Sequence, residues 1–342
     1  MTGQARRLGE SGSGRRPHRL GRAACIAVAL AALPGALAGP VAAQGPGERS
    51  LLDAHNAYPY HGQWSDRLER AIATGLPLAI EQDLSWAVDP ETGAGRSVVA
   101  HEEPFDGAEP TLAESFFERL RPLVEPALGA DSQGDWPLVV LNLDVKSEGD
   151  HLRHHREILA TLQRYRSWLS SAPRSADGSP TPIEWRPILV LTGSSDAQEH
   201  TFRDQAEGGE LLLFGAVHDA GLDRDGVPLP RRASDYRRWW NHPWRVVEPE
   251  GQRAAGEWTP DDAGRLRRLV SRAHEAGLWL RVYTLNGIGE EGSQERGWFA
   301  GYDFGSLDAV RERWRACLEA GVDFVATDQY EELAVLRAGR GG

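Results

Sequence analysis

Lys146 is the single lysine beside 37 arginines in a chain of 342 residues, and it stands two residues after Asp144 at the end of an apolar run. Arginine fills every other basic position. A guanidinium is planar and broad, whereas an ammonium is a compact point charge, so the two do not interchange at a tight site. A lone lysine beside a carboxylate therefore reads as a site group. Side chains two apart on a strand share a face. Asn142, Asp144 and Lys146 then project together, as do Glu81 and Asp83 after Leu78, Ala79 and Ile80. His55 and His101 close two further apolar runs. Converging carboxylates repel one another unless a cation sits among them, and oxygen donors favour Mg²⁺ or Ca²⁺ over a soft metal. Two imidazoles can move protons near neutral pH. Carboxylates, histidines and an ammonium together suit phosphodiester cleavage better than acyl or hydride transfer.

Short apolar runs that could carry these groups recur along the chain. Residues 51–54, 77–83, 97–101, 138–145, 187–191, 211–217, 278–285 and 323–327 read as strands, most of them too apolar to alternate, as in strands covered on both faces. Helical spacing of apolar residues marks 64–74, 111–128, 151–170, 260–276 and 306–319. Thr259, Pro260 and Asp262 make a strong helix start, and Gly277 and Gly321 make stops. Alternating strands and helices imply a parallel sheet with right-handed crossovers. Eight strands suit a single (β/α)₈ TIM barrel, in which C-terminal strand ends carry the chemistry; an open doubly wound sheet is the alternative. Residues 171–185 and 218–258 read as loop-rich insertions. The second contains Trp239, Trp240 and Trp244, and its segment 237–245 reads as a lid or a membrane contact.

Residues 1–43 read as a cleavable signal peptide, leaving the barrel domain to 44–342. Six arginines precede the apolar run 23–33, and Val41, Ala42 and Ala43 offer a small-residue cleavage site. The run is too short to span a bilayer, so export to the periplasm or the exterior is expected without a stable membrane span. Removing the six arginines and the one glutamate of the leader takes the formal charge from −12 to −17. Such a chain repels nucleic acid at long range, and no protein partner is implied. Of the two cysteines, Cys25 lies in the leader, so Cys317 alone forms neither an internal disulfide nor a thiolate cluster.

His55-Asn56, Glu81-Gln82-Asp83, His101 and Asp144-Val145-Lys146 resemble, in order and spacing, the glycerophosphodiester phosphodiesterases and their superfamily, the phospholipase C-like phosphodiesterases. Residues 282–286 and 326–328 look like the last two strands of that family, so the resemblance covers most of the chain after the leader. It implies a TIM barrel with one divalent ion, Ca²⁺ or Mg²⁺, held by Glu81, Asp83 and Asp144. It also implies His55 and His101 as the acid–base pair, Lys146 as the stabiliser of phosphoryl charge, and often attack by a neighbouring substrate hydroxyl through a cyclic phosphate. The substrate would be a small or lipid-derived phosphodiester. Two departures bear on it. The family's Arg-Gly after the first histidine is Asn56-Ala57 here, and its Glu-x-Lys is Asp144-x-Lys146, a form like that of the sphingomyelinase D-like branch. Sphingomyelinase D-like or phospholipase D-like cleavage is accordingly the alternative activity, and a secreted barrel that binds phosphorylated ligands without turnover is the alternative class. Asn56, Arg281 and Tyr283 are candidate substrate contacts; for Arg281 a packing position inside the barrel is an equal reading.

Other patterns read as ordinary structure. Gly287, Gly289 and Gly292 fit a dinucleotide-loop spacing, but two glutamates lie inside it and no helix is expected to open there. Asp219, Asp223 and Asp225 read as a solvated turn. His151, His154 and His155 read as an exposed helix face. Gly193-Ser194-Ser195 lacks the second glycine of a nucleophile elbow, and His61 reads as a loop histidine.

Overall fold

Nine strands form one sheet whose ends meet. They are β1 (Leu51–Ala54), β2 (Leu78–Val88), β3 (Gly95–Val99), β4 (Val139–Val145), β5 (Ile188–Thr192), β6 (Phe214–Ala216), β7 (Arg237–Pro243), β8 (Trp279–Tyr283) and β9 (Phe324–Thr327). All but β3 pair in parallel, and β1 pairs with both β9 and β2, which closes an eight-stranded barrel. The computed structural model describes residues 45–60, 62–129, 137–146 and 151–339. The expected signal peptide and His61 lie outside the described residues. Among those described, no helix is long and apolar enough to cross a membrane.

Helices α1 (Arg67–Ala73), α2 (Glu118–Ala127), α3 (His151–Arg164), α5 (Pro260–Glu275), α7 (Leu307–Ala320) and α8 (Tyr330–Ala338) accompany the sheet, with short α4 (Asp196–Glu199) and α6 (Glu290–Glu295) in the loops. The caps read from sequence are present. Thr259 and Asp262 form a reciprocal capping box at α5, and Gly321 ends α7 at φ 82°, in the left-handed region. Aliphatic strand residues and the inward stripes of α5 and α7 merge into one core, with Leu266, Leu269, Val270, Val310, Trp314 and Cys317 buried.

Two expectations about strands are corrected. The run 97–101 is not a barrel strand: β2 continues beyond the rim to Val88, turns through Asp89–Ala94, and β3 returns antiparallel to it. Asp89 makes that turn, accepting from the backbone N–H groups of Glu91 and Thr92. The missing barrel strand is β7, inside the expected lid. Trp239, Trp240 and Trp244 are buried, and β7 is flanked by β6 and β8, so segment 237–245 is neither a lid nor a membrane contact. Three tryptophans in six residues looked like a surface patch because the run also carries Arg237, Arg238 and His242; instead Arg237 pairs with Asp196 and Glu199, Arg238 donates to the backbone C=O of Asp235 and Thr181, and His242 Nε2 lies 3.4 Å from Asp219.

Two smaller readings also change. His154 and His155 are buried rather than exposed, with Ser97 Oγ 2.9 Å from His154 Nε2. A helix, α6, does open after Gly289. The expected turn at Asp223 is present, its Oδ1 accepting from the N–H groups of Asp225 and Val227.

Candidate active site

The register of β2 and β4 builds the centre of the site. Glu81 pairs with Asn142 and Asp83 with Asp144, so the two sets predicted from strand parity lie side by side. Lys146 N–H donates to Leu84 C=O at 2.8 Å, which carries the same register one step past β4. One carboxylate oxygen from each of Glu81, Asp83 and Asp144 lies within 4.8 Å of the other two. Lys146 Nζ stands 2.6 Å from Asp144 Oδ2 and 3.2 Å from Asp83 Oδ2. Burial opposes the ammonium charge, but Asp83 and Asp144 outweigh it and hold Lys146 protonated well above its ordinary range. Burial first, and then the charges of Asp144 and Glu81, push Asp83 well above the usual carboxylate range. Asp83 Oδ1 is buried and makes no hydrogen bond among the described residues, its neighbour Tyr58 donating instead to Asn56 Oδ1 at 2.9 Å.

His55 leaves β1 between two carboxylates. Its Nε2 is 3.3 Å from Glu81 Oε2, and its Nδ1 is 3.1 Å from Asp328 Oδ1. Burial would lower this imidazole, but Glu81 and Asp328 more than offset it, raising it to about 9. The turn that follows is stapled to β2: Gln82 Nε2 donates to Ala57 C=O at 2.6 Å, and Ala57 N–H to Glu81 C=O at 3.3 Å. Asn56 makes that turn at φ 53°, a region asparagine tolerates better than most residues. Its Nδ2 reaches His55 Nδ1 at 2.8 Å and Asp328 Oδ1 at 3.2 Å. His101 follows β3, the return arm of the hairpin with β2, and does not come from a barrel strand. It is 3.9 Å from Asp83 Oδ2 and faces the Tyr60 ring at 5.8 Å. Burial and Lys146 lower its imidazole.

The six principal residues read from the sequence, His55, Glu81, Asp83, His101, Asp144 and Lys146, all line one cavity of about 830 Å³, as do Asn56, Arg281 and Tyr283. Arg281 lies at its floor, only 2% exposed, donating from Nε to Asp53 with its guanidinium 5.2 Å from the Tyr283 ring centroid. Tyr283 is partly buried, and Thr284 turns the chain after it at φ 71°.

Two contributors are missing from the sequence reading. Asp328 is one, because its carboxylate reaches His55 from the far end of the chain. Asn286 Nδ2 donates to Asp328 Oδ2 at 2.6 Å, and Asp328 N–H returns a bond to Asn286 Oδ1 at 2.9 Å. The motif at 326–328 drew attention to the residue but not to this contact. The other is the part of the cavity wall that the loop between β8 and α7 supplies; of residues 218–258, only Trp239 and Asn241 of β7 line it. Trp298, Phe299 and Tyr302 face the cavity from that loop. Asp303 folds it by accepting from Ile288 N–H, Gly289 N–H and Ser293 Oγ, and Arg67 Nη2 ties it to α1 through Arg296 C=O at 2.6 Å. At Gly297, φ is 63° and an added Cβ would stand 2.4 Å from the Trp64 ring, so only glycine fits.

No family model matches the chain, and neither does any curated protein. Among solved structures it is similar to a glycerophosphoryl diester phosphodiesterase from Parabacteroides distasonis, with 13% identity over 88% of this chain and 89% of that one and a TM-score of 0.43. A glycerophosphodiester phosphodiesterase from the same organism gives 12% identity, 87% and 100% coverage, and a TM-score of 0.44. A calcium-dependent phosphoinositol-specific phospholipase C from a Pseudomonas species gives 12% identity, 84% and 91% coverage, and a TM-score of 0.48. The barrel itself rests on the strand pairing, not on these likenesses.

Proposed function

We propose that the chain is an exported, metal-dependent phosphoric diester hydrolase, glycerophosphodiesterase-like in its chemistry. The observation that carries this reading is the convergence of three carboxylates, two histidines and the only lysine on one end of the barrel. Glu81, Asp83 and Asp144 would hold one divalent ion. The fit is good: the donors are hard oxygens, their spacing suits a single small cation, and buried Asp83 Oδ1 makes no hydrogen bond among the described residues. The ion would supply Lewis-acid polarisation of a phosphoryl oxygen.

The chain's own residues supply the rest. Lys146 Nζ sits where an ammonium offsets the negative charge of a phosphoryl group drawn toward the carboxylates. His55 can give or take a proton at Nε2 because Asp328 engages Nδ1 and fixes the ring. His101, with Nε2 3.9 Å from Asp83 Oδ2, can exchange the second proton. Tyr283, Trp298 and Tyr302 shield the site from water and offer rings to the alcohol portion of the diester. Phe299 lines the same cavity at its exposed edge.

Hydrolysis of glycerophosphodiesters, lysophospholipids, sphingomyelin and phosphoinositides, each with Ca²⁺ or Mg²⁺ and again with chelator, tests the reading. Ion-dependent turnover of at least one diester is expected. Turnover that survives complete ion removal would sink the metal assignment. Tight ion binding with no turnover on any diester would favour the ligand-binding barrel.

A further inference from the structure

Beneath the cavity floor a line of buried polar groups joins β1, β8 and β2. Arg281 Nε donates to Asp53 Oδ2, and Nη1 reaches Asn241 Oδ1 at 3.3 Å. Arg281 Nη2 makes no hydrogen bond of its own but lies 3.3 Å from Glu81 Oε1. Asn142 Nδ2 approaches that same oxygen at 3.4 Å, while His55 Nε2 and Asn56 N–H take the other oxygen at 3.3 Å each. Glu81 is thus gripped at both oxygens, and Arg281 is the only cation on the side facing away from the mouth among the residues that touch it.

Asp53 and Arg281 are 1% and 2% exposed. A buried ion pair gains little stability over apolar groups of similar volume, so packing alone does not account for it. Nor is the guanidinium free to turn toward a substrate phosphate: doing so would leave Asp53 buried and unpaired. A positive charge this near a cation site also repels the cation. Asp53 cancels that charge, so the pair can orient Glu81 without lowering the negative potential of the carboxylates.

We propose that Asp53 and Arg281 are positioning residues for the ion site. Arg281 fixes the plane of the Glu81 carboxylate, and Asp53 neutralises Arg281 so that Glu81 keeps its full charge for the ion. This rests on the reading of Glu81, Asp83 and Asp144 as ion ligands. Groups that orient a ligand from behind typically change metal affinity ten- to a hundredfold when removed.

Calorimetric titration of the purified chain with Ca²⁺ or Mg²⁺ alone, without substrate, tests the proposal, with thermal unfolding recorded for each variant. Asp53→Asn leaves Arg281 unbalanced and should weaken ion binding at least about tenfold. Arg281→Lys keeps the charge but cannot bridge Asp53 and Glu81, and should also weaken it by about tenfold. The double variant D53N/R281M is neutral throughout, leaves no unpaired charge to unfold the barrel, and should weaken it by a similar factor or more. Folded R281K and D53N/R281M that bind the ion as the wild type does would overturn the proposal alone; a raised KM in them would then make Arg281 a substrate contact. A folded wild-type chain that binds neither ion overturns both this proposal and the reading beneath it.

Discussion

Asp328 Oδ1 lies 3.1 Å from Nδ1 of His55, a residue 273 positions earlier in the chain. The contact exists because β1 and β9 are neighbours: Ala54 pairs with Thr327, so the residue after each strand emerges at the same corner of the mouth. Asn286 buttresses the carboxylate, and Tyr330 OH donates to His55 C=O at 2.6 Å. The imidazole is therefore held from its backbone and from its ring.

Asp328→Asn removes the acceptor that sets the His55 ring. General acid–base catalysis contributes about 10²–10⁴-fold, and a mis-set imidazole should lose much of it. The expected outcome is a fall in kcat of about a hundredfold with ion affinity unchanged. Steady-state kinetics beside calorimetry would show it; a variant with wild-type kcat would make the contact structural only.

Lys146→Arg replaces a point charge, wedged between Asp83 and Asp144, with a broad fork. Nζ is too close to both carboxylates for a guanidinium to keep the same geometry. Turnover should drop about 10²–10³-fold, the scale of losing one well-placed charge donor, while the circular dichroism spectrum is retained. Near-normal turnover would mean that any cation serves there.

Asp83→Asn removes one of three converging negative charges. Without ion, the variant should unfold at a higher temperature than the wild type, because carboxylate repulsion is relieved. With ion the order should reverse: the wild type gains stability by mass action, whereas the variant gains little. Differential scanning calorimetry with chelator and with millimolar Ca²⁺ or Mg²⁺ reads both arms. Equal ion-induced shifts in the two proteins would remove Asp83 from the ligand set.

The site was legible where local rules suffice. Strand parity placed Glu81 with Asp83 and Asp144 with Lys146, and parallel register did the rest. Parity says nothing about which strands become neighbours in a closed barrel, so the Asp328–His55 pair and the Asp53–Arg281–Glu81 line could not be read. Eight strands were expected and eight close the barrel, but one exchange hides in that count. The run 97–101 satisfies every apolar criterion for a core strand yet is the return arm of a hairpin, because β2 outgrows the barrel. In β7, Arg237, Arg238 and His242 break the apolar pattern, and the partners of Arg237 and His242, namely Asp196, Glu199 and Asp219, are brought close only by folding, as is Thr181 C=O, which accepts from Arg238. The histidines of α3 misled for a similar reason. Interleaved Arg153 and Arg156 suggested a wet face, while the face carrying His154 and His155 packs inward with Ile158 and Leu162.

Those two histidines make stability depend on pH. Burial lowers each to about 4, from an ordinary value near 6.5. His154 sits beside Ser97 Oγ, and the His155 ring lies 5.3 Å from Phe202. Their folded-state values are depressed, so the unfolded chain binds more protons through this window. Their contribution to stability is present in full above pH 6.5, declines as the pH falls, and is lost once the pH passes below 4. The urea midpoint of the wild type should drop across that interval. Carboxylates elsewhere add to the drop, so the comparison is with His154→Asn/His155→Asn, which cannot take up these protons. The double variant should start less stable at pH 7.5 and show a shallower decline between pH 6.5 and 4. Parallel declines in the two proteins would mean that the α3 histidines do not titrate between the folded and unfolded states.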